Sequence, residues 1–330
     1  PSANRKAAKQ ARSDANANSF ESVAREWFTK NSPAWAESHS SKIIRRLERD
    51  IFPWLGARPI AEITPQDVLQ SLRRIEARGV LETAHRALQN CGQIFRYAVQ
   101  TGRAVSDPTR DLRGALAPWK PKHYSALTEP AKLGDLLRAI DGYRGNLTTR
   151  AALQLLPMLF VRPGELRLAK WADIDLEAGK WQYFVTKTKQ DHIVPLATQP
   201  VAILRELHGL TGEDEYVFPG VRSRQRPISE NTINAALRYL GFPKDVVTGH
   251  GFRATARTLL DEELGFAPHL AEHQLAHRVR DPLGRAYNRT KHLPERKAMM
   301  QAWADYLDRL KGKGQDGPGE PPAPVINNDT

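Results

Sequence analysis

The chain has 330 residues, of which 40% are hydrophobic and 26% charged, with 49 Lys+Arg against 37 Asp+Glu and a formal net charge of +12. That length exceeds one ordinary domain and suits two, and the composition excludes a wholly disordered chain. The charge surplus points to a polyanionic partner, nucleic acid or a membrane surface, and a lone cysteine, Cys91, excludes an internal disulfide and a cysteine-based zinc site.

Residues 1–18, "PSANRKAAKQARSDANAN", are basic and poor in large apolar groups, so they read as a linker or an exposed helix. Position 1 is Pro rather than Met, and the expectation is a processed chain or a fragment lacking its beginning. Four helices are predicted next. Ser19 can cap "FESVAREWFTK", with Phe20, Val23, Trp27 and Phe28 on one stripe. "SSKIIRRLERDIFPWLG" places Ile43, Ile44, Leu47 and Ile51 on one face and Arg45, Arg46 and Arg49 toward the other. "TPQDVLQSLRRIEARG" has Thr64 as cap, Pro65 at the first helical position and Asp67 closing a capping box. "LETAHRALQNCGQIFRYAVQTG" is a long helix stopped by Gly102, with Cys91 as a small buried hydrophobe. Residues 19–114 thus read as an all-α basic domain.

The stretch 115–127 is Pro-rich with few core candidates and reads as an interdomain linker. Thr128 is expected to cap a helix running through Ile140. "NLTTRAALQLLPMLFVRPGELRLAKWADIDL" predicts a buried helix, a turn at Pro163-Gly164 and a short helix. "GKWQYFVTKTKQDHIVPL" alternates and is rich in β-branched and aromatic residues, which predicts a β-hairpin with a basic loop. Helices are predicted again at about 198–209, 229–240, 250–264, 267–276, 281–290 and 294–311. The Gly/Pro-rich tail, 312–330, is expected to be disordered. No apolar run is long enough to span a bilayer, and no signal-peptide pattern opens the sequence, so a reducing bacterial cytoplasm, at the nucleoid, is the expected compartment.

Polar residues recur in the second half where the local pattern is apolar or helical. They are Arg162 and Glu165 in "FVRPGEL", Lys187 and Lys189 in the hairpin loop, His250 and Arg253 one helical turn apart in "GHGFRATARTLL", His277 in "QLAHRV" and Tyr287 in "GRAYNRT". Singly, each has an ordinary explanation: a local ion pair, a solvated loop, a helix-start histidine, a packing aromatic. Together they form a kit for attacking a phosphodiester without metal. A tyrosine hydroxyl, with an ordinary pKa of about 10, needs its proton accepted or its phenolate stabilised before it attacks. Two guanidiniums can clamp the non-bridging oxygens as negative charge builds. A lysine can protonate the leaving sugar oxygen, and a histidine can share the proton traffic.

One motif competes. His269-x-x-Glu272-His273 has the spacing of an inverzincin metalloprotease, in which the histidines bind zinc and the glutamate acts as base. No obvious downstream glutamate helix follows, and histidines on an exposed helix side explain it more simply.

From about 128 to 311 the chain resembles the catalytic domain of the tyrosine recombinase (phage integrase) family, specifically the integrases of prophages and integrative islands. "VRPGELRLAKWADID", "HIVPL", "HGFRATARTLL", "LAH" and "AYNR…ERKAMMQAWADYLD" carry the resemblance, in order and at suitable separations. The resemblance implies that Arg162 is the first catalytic arginine and Glu165 its acidic support. His250 and Arg253 fit the His-x-x-Arg pair, His277 the second histidine position and Tyr287 the nucleophile. The family's lysine lies eight residues before the proline after the second strand, which gives Lys187, with Lys189 as its rival. Residues 19–114 resemble the family's core-binding domain more weakly. The implied fold is mainly α with a small antiparallel sheet, a helical core-binding domain and an α+β catalytic domain closing as a clamp on DNA.

Such an enzyme recombines double-stranded DNA attachment sites through a 3′-phosphotyrosyl intermediate, to integrate or excise a mobile element. It needs no cofactor and no metal. It implies a homotetramer in the synaptic complex, a monomer when free, accessory DNA-bending or directionality proteins, and no membrane partner. The subgroup's amino-terminal arm-site-binding domain is absent here, and truncation is the expectation. The stripe Met299, Met300, Trp303, Tyr306, Leu307 and Leu310 fits either a core-facing helix or a helix that docks on a neighbouring protomer. Two alternatives stay open: a type IB topoisomerase-like relaxing enzyme and a DNA-binding protein without catalysis.

Overall fold

A computed structural model of the chain describes residues 17–119, 125–186, 189–277 and 292–312. The chain divides into two compact units, Pro1–Lys122 and His123–Thr330.

In the first unit, Ser19 is extended and its hydroxyl accepts the Ser22 N–H, which starts α1 (Phe20–Asn31). The run after it is not one regular helix. α2 (Glu37–Arg46) passes into a π-helical stretch, Leu47–Gly56, that contains Pro53. Proline has no N–H to donate to a regular turn, and the wider winding accommodates it. α3 (Pro65–Glu76) carries the reciprocal cap: the Thr64 N–H donates to Asp67 Oδ2 at 2.9 Å and the Asp67 N–H to Thr64 Oγ1 at 3.3 Å. α4 (Leu81–Gln100) ends just before Gly102, whose φ of 72° lies in the left-handed region. Their apolar faces meet around Phe20, Leu47, Ile51, Leu72, Ile94 and Phe95. Cys91 is fully buried among them, and burial pushes its thiol up to about 12, so it packs rather than reacts.

The stretch between the domains was expected to hold few core residues. Leu116 is instead buried in the core of the first unit and Leu127 in that of the second.

The second unit opens with α5 (Pro130–Asp141). Its cap position is Glu129, not the expected Thr128, and no side chain caps it; Pro130 sets the start by its fixed φ. α6 (Leu147–Leu159) is capped by the Asn146 side chain, which accepts the Thr148 N–H at 2.8 Å. Pro163 and Gly164 do not form a separate turn; they are the first residues of α7 (Pro163–Arg167). β1 (Ile174–Asp175), β2 (Lys180–Val185) and β3 (Gln190–Pro195) form an antiparallel sheet in that order, with Tyr183 opposite His192 and Trp181 opposite Val194. Alternation turns Trp181 and Val185 inward and leaves Phe184 exposed.

α8 (Thr198–Thr211), α9 (Thr232–Tyr239), α10 (Gly251–Glu262), α11 (Pro268–Gln274) and α12 (Leu293–Gly312) complete the described elements. The helix expected at 281–290 lies outside the described residues. The stripe of α12 faces its own unit: Met299, Met300, Trp303, Tyr306, Leu307 and Leu310 are all buried, and Trp303 Nε1 donates to the Pro157 carbonyl at 2.9 Å. Burying a large apolar side chain contributes about 1.5–3 kcal/mol, so this helix is part of the core. The fold is mainly α with a small antiparallel sheet, as the sequence implied. Among the described residues no helix is long and apolar enough to cross a membrane.

Candidate active site

Arg162 sits at the cap position of α7, between the end of α6 and Pro163. Glu165, three residues on, reaches back to it twice. Its Oε2 accepts the Arg162 N–H at 3.0 Å and its Oε1 accepts Arg162 Nη1 at 2.7 Å. Both side chains are about 15% exposed, so this is a half-buried pair rather than a solvated one. The Tyr183 hydroxyl, from β2, donates to Glu165 Oε2 at 2.9 Å.

Arg253 projects from the first turn of α10 and is buried. Its Nη1 donates to the Phe160 carbonyl at 3.1 Å, and its Nη2 to the Leu275 carbonyl at 2.8 Å and to His277 Nε2 at 3.0 Å. Among the described residues it hydrogen-bonds two carbonyls and an imidazole, and no carboxylate. Burial, and next the charge of Arg162, lower its pKa to about 10. That mutual repulsion places Arg162 and Arg253 in one field, and an anion between them would relieve it.

Phe160 supplies one of those carbonyls from a strained position, with φ 38° and ψ 32° and its ring fully buried edge-on to Trp303. His277 Nδ1 lies 2.6 Å from Glu272 Oε2, and Arg257 Nε donates to Glu272 Oε1 at 2.9 Å. Burial works to raise the Glu272 pKa, but the bonds from His277 and Arg257 outweigh it and hold the carboxyl below its ordinary range.

His250 occupies the cap position of α10, half-buried and one turn before Arg253. Its neighbour Gly251 is required by a close approach: a Cβ there would stand 2.0 Å from the Ser125 carbonyl oxygen. Lys189 is exposed in the hairpin turn with φ 54°. Lys187 and Tyr287 lie outside the described residues. Four of the seven residues named from the sequence, Arg162, Glu165, Arg253 and His277, therefore form two hydrogen-bonded groups joined electrostatically, with His250 adjoining.

The residues of the competing motif are engaged otherwise. Glu272 is engaged by Arg257 and His277, while the His269 and His273 rings lie 4.9 and 5.7 Å from that of His292. Among the described residues no group of three or more His, Cys, Asp or Glu is placed to hold a metal ion.

Several contributors were not named from the sequence. Glu272 figured only as a rival zinc base. Phe160 and Leu275 act through backbone carbonyls, which carry no side-chain signature. Tyr183 was legible as an inward position of an alternating strand, though not as a partner of Glu165.

Comparison with known proteins places the chain. Residues 20–115 fit the model of the phage integrase central domain and residues 128–292 that of the phage integrase family. The integrase of Enterobacteria phage P4 is 38% identical over 322 residues, spanning 92% of this chain and 73% of the relative. The chain belongs to the phage integrase family. Its chemistry is that of a tyrosine-type site-specific recombinase, and neither simple relaxation nor binding without catalysis is favoured. The prophage integrase IntS of Escherichia coli strain K12 is 32% identical over 304 residues, 91% of this chain and 78% of the relative. Among solved structures, a lambda integrase tetramer bound to a Holliday junction has a TM-score of 0.64 at 19% identity, covering 82% of this chain and 81% of that one. A lambda integrase(75-356) dimer bound to a COC′ core site has a TM-score of 0.63 at 20% identity, covering 78% and 94%. At that identity the likeness speaks to the fold.

Proposed function

We propose that this recombinase breaks DNA by attack of the Tyr287 oxygen on a phosphodiester. The Tyr287 O–P bond forms, the P–O5′ bond breaks, and a 3′-phosphotyrosyl link remains beside a free 5′-hydroxyl. The partner strand's 5′-hydroxyl then attacks that link and releases Tyr287. The phosphoester bond is conserved throughout, so the exchange needs no nucleotide hydrolysis.

Arg162 and Arg253 clamp the non-bridging oxygens, and Glu165 holds Arg162 in place. His250 and His277 hydrogen-bond the phosphate and handle the nucleophile's proton. Lys187 gives a proton to the leaving O5′, with Lys189 as the alternative donor in the same loop. The observation that carries the reading is Arg253: a buried guanidinium beside a second arginine, bonded among the described residues to two carbonyls and an imidazole and to no carboxylate, is a site built to receive an anion.

The two units take separate tasks in this reading. Residues 19–114 form a core-type DNA-binding domain, 115–127 a linker and 128–311 the catalytic domain. An open cleft of about 1480 Å³ in the first unit is lined by Lys42, Arg46, His85, Arg86, Arg96 and Arg110, and suits a phosphate backbone. Four protomers on two double-stranded sites, passing through a Holliday junction, are the proposed assembly, with accessory DNA-bending or directionality proteins as further partners.

The test uses the chain and its Tyr287→Phe variant with a nicked DNA substrate carrying candidate element ends. An SDS-stable protein–DNA adduct with the parent and none with the variant is the expected result. DNA retained in a gel shift without any adduct from the parent would overturn the reading.

A further inference from the structure

We propose that Tyr183 is a positioning residue for the cleavage reaction, coupling the β2–β3 hairpin to the Arg162 guanidinium through Glu165. The inference rests on the reading of Arg162 as a phosphate clamp.

Glu165 is the hinge of the argument. One of its oxygens accepts the Arg162 guanidinium at 2.7 Å, and the other accepts both the Arg162 N–H at 3.0 Å and the Tyr183 hydroxyl at 2.9 Å. Two of these bonds are local to one turn of chain. The third comes from 18 residues away and fixes the rotation of the carboxylate about its terminal bond. Without it, the carboxylate is held by the local pair alone and is free to turn about its terminal bond.

Tyr183 is itself held from two sides. Its ring stacks on Trp181 with centroids 4.3 Å apart and meets His192, its partner across the sheet, edge-on at 5.7 Å. His192 Nε2 lies 3.1 Å from the Gln274 carbonyl. The Gln274 side chain accepts Arg296 Nη2 at 2.5 Å, and the same nitrogen reaches the Ile193 carbonyl at 2.5 Å. Tyr183 therefore takes its place only when the hairpin is seated against α11 and α12. The loop between β2 and β3 carries both candidate lysines.

The hydroxyl stays a donor. Burial, and then the charge of Glu165, push its pKa above the ordinary tyrosine range, so Tyr183 gives its proton to a hydrogen bond and is no rival nucleophile.

The experiment is a double-mutant cycle read by single-turnover formation of the covalent adduct on nicked DNA. Tyr183→Phe keeps the ring between Trp181 and His192 and removes only the hydroxyl. It is expected to slow adduct formation roughly 10-fold to 100-fold, the scale of a small misplacement of a catalytic group, with DNA affinity within about twofold. In a Glu165→Gln background the same change is expected to cost less than about twofold. Rates are taken at a temperature where circular dichroism shows every variant folded. An unchanged rate for Tyr183→Phe, or equal slowing in both backgrounds, would overturn the proposal. Arg162→Ala is run alongside. Parent-like cleavage by that variant removes the clamp reading itself. Loss of cleavage by Arg162→Ala with none by Tyr183→Phe removes only the positioning role.

Discussion

Arg253 donates through Nη2 to Nε2 of His277 at 3.0 Å. A guanidinium can only donate, so in this contact Nε2 is the acceptor, and Nδ1, 2.6 Å from Glu272 Oε2, is the nitrogen placed to donate to that carboxylate. Glu272 thereby selects the tautomer.

Replacing the selector is the first prediction. Glu272→Gln removes the charge and lets the amide donate to Nδ1, which favours the other tautomer. Adduct formation should slow about tenfold, equivalent to about 1.4 kcal/mol, with DNA affinity retained. Single-turnover cleavage beside a gel shift measures both, and an unchanged cleavage rate would argue against tautomer control.

Arg253→Lys is not a mild exchange. An ammonium reaches fewer of the three acceptors at once, so a carbonyl of Phe160 or Leu275 is left without its donor. Thermal unfolding should show roughly 1–3 kcal/mol less stability. Cleavage should fall further, by roughly 10²-fold to 10³-fold, if Arg253 is one arm of the proposed phosphate clamp. Cleavage that falls only in step with stability would reduce Arg253 to a structural part.

Two glycines near the site should respond in opposite ways. At Gly251 a Cβ would stand 2.0 Å from the Ser125 carbonyl oxygen and 3.0 Å from its carbon. Backbone cannot swing aside as a side chain can, so Gly251→Ala should cost about 1–3 kcal/mol. At Gly164 nothing lies within 4 Å of the added carbon, and Gly164→Ala should be close to neutral. Melting curves of the two variants decide the matter; equal shifts would contradict the packing described at Gly251.

His192 sets an acid limit. Burial, and next the charge of Arg296, lower its pKa from 6.5 to about 3 in the folded chain. Between those values the unfolded chain binds the extra proton, so stability falls as pH drops from 6.5 toward 3. From pH 6.5 to 5 the loss from this group should be roughly 1.5–2 kcal/mol, above the range where carboxylates titrate. His192→Gln keeps a donor for the Gln274 carbonyl and should flatten that part of the curve. Parallel curves for the two proteins would show that His192 does not drive it.

What could be read in the sequence follows the range of the forces involved. Ser19 and Thr64 cap their helices with partners three residues away, and such short-range bonds leave a pattern in the chain. The hairpin was legible because its alternation spans only six residues per strand. The π-helical stretch was not, because nothing in "LERDIFPWLG" except Pro53 distinguishes it from a regular helix. The start of α5 at Glu129 rather than Thr128 turned on Pro130, whose fixed φ outranks a capping hydroxyl two positions earlier. Arg162, Glu165, Arg253 and His277 were nameable as a set from residue type and order. Their supports were not: the Phe160 carbonyl meets Arg253 across 93 residues, and Tyr183 meets Glu165 across 18. Pairings of that range are set by the tertiary fold and leave no local mark.

The burial of α12 has a consequence for the order in which the protein folds. This helix closes against α5, the first of its unit, and the Leu310 carbonyl accepts Arg138 Nη1 at 3.0 Å across 172 residues. Its Arg296 pins β3 and α11, which bear on the hairpin and on His277. The core of this unit therefore cannot close until α12 has joined it, and the seating of β3 and α11 waits on the same late, long-range step.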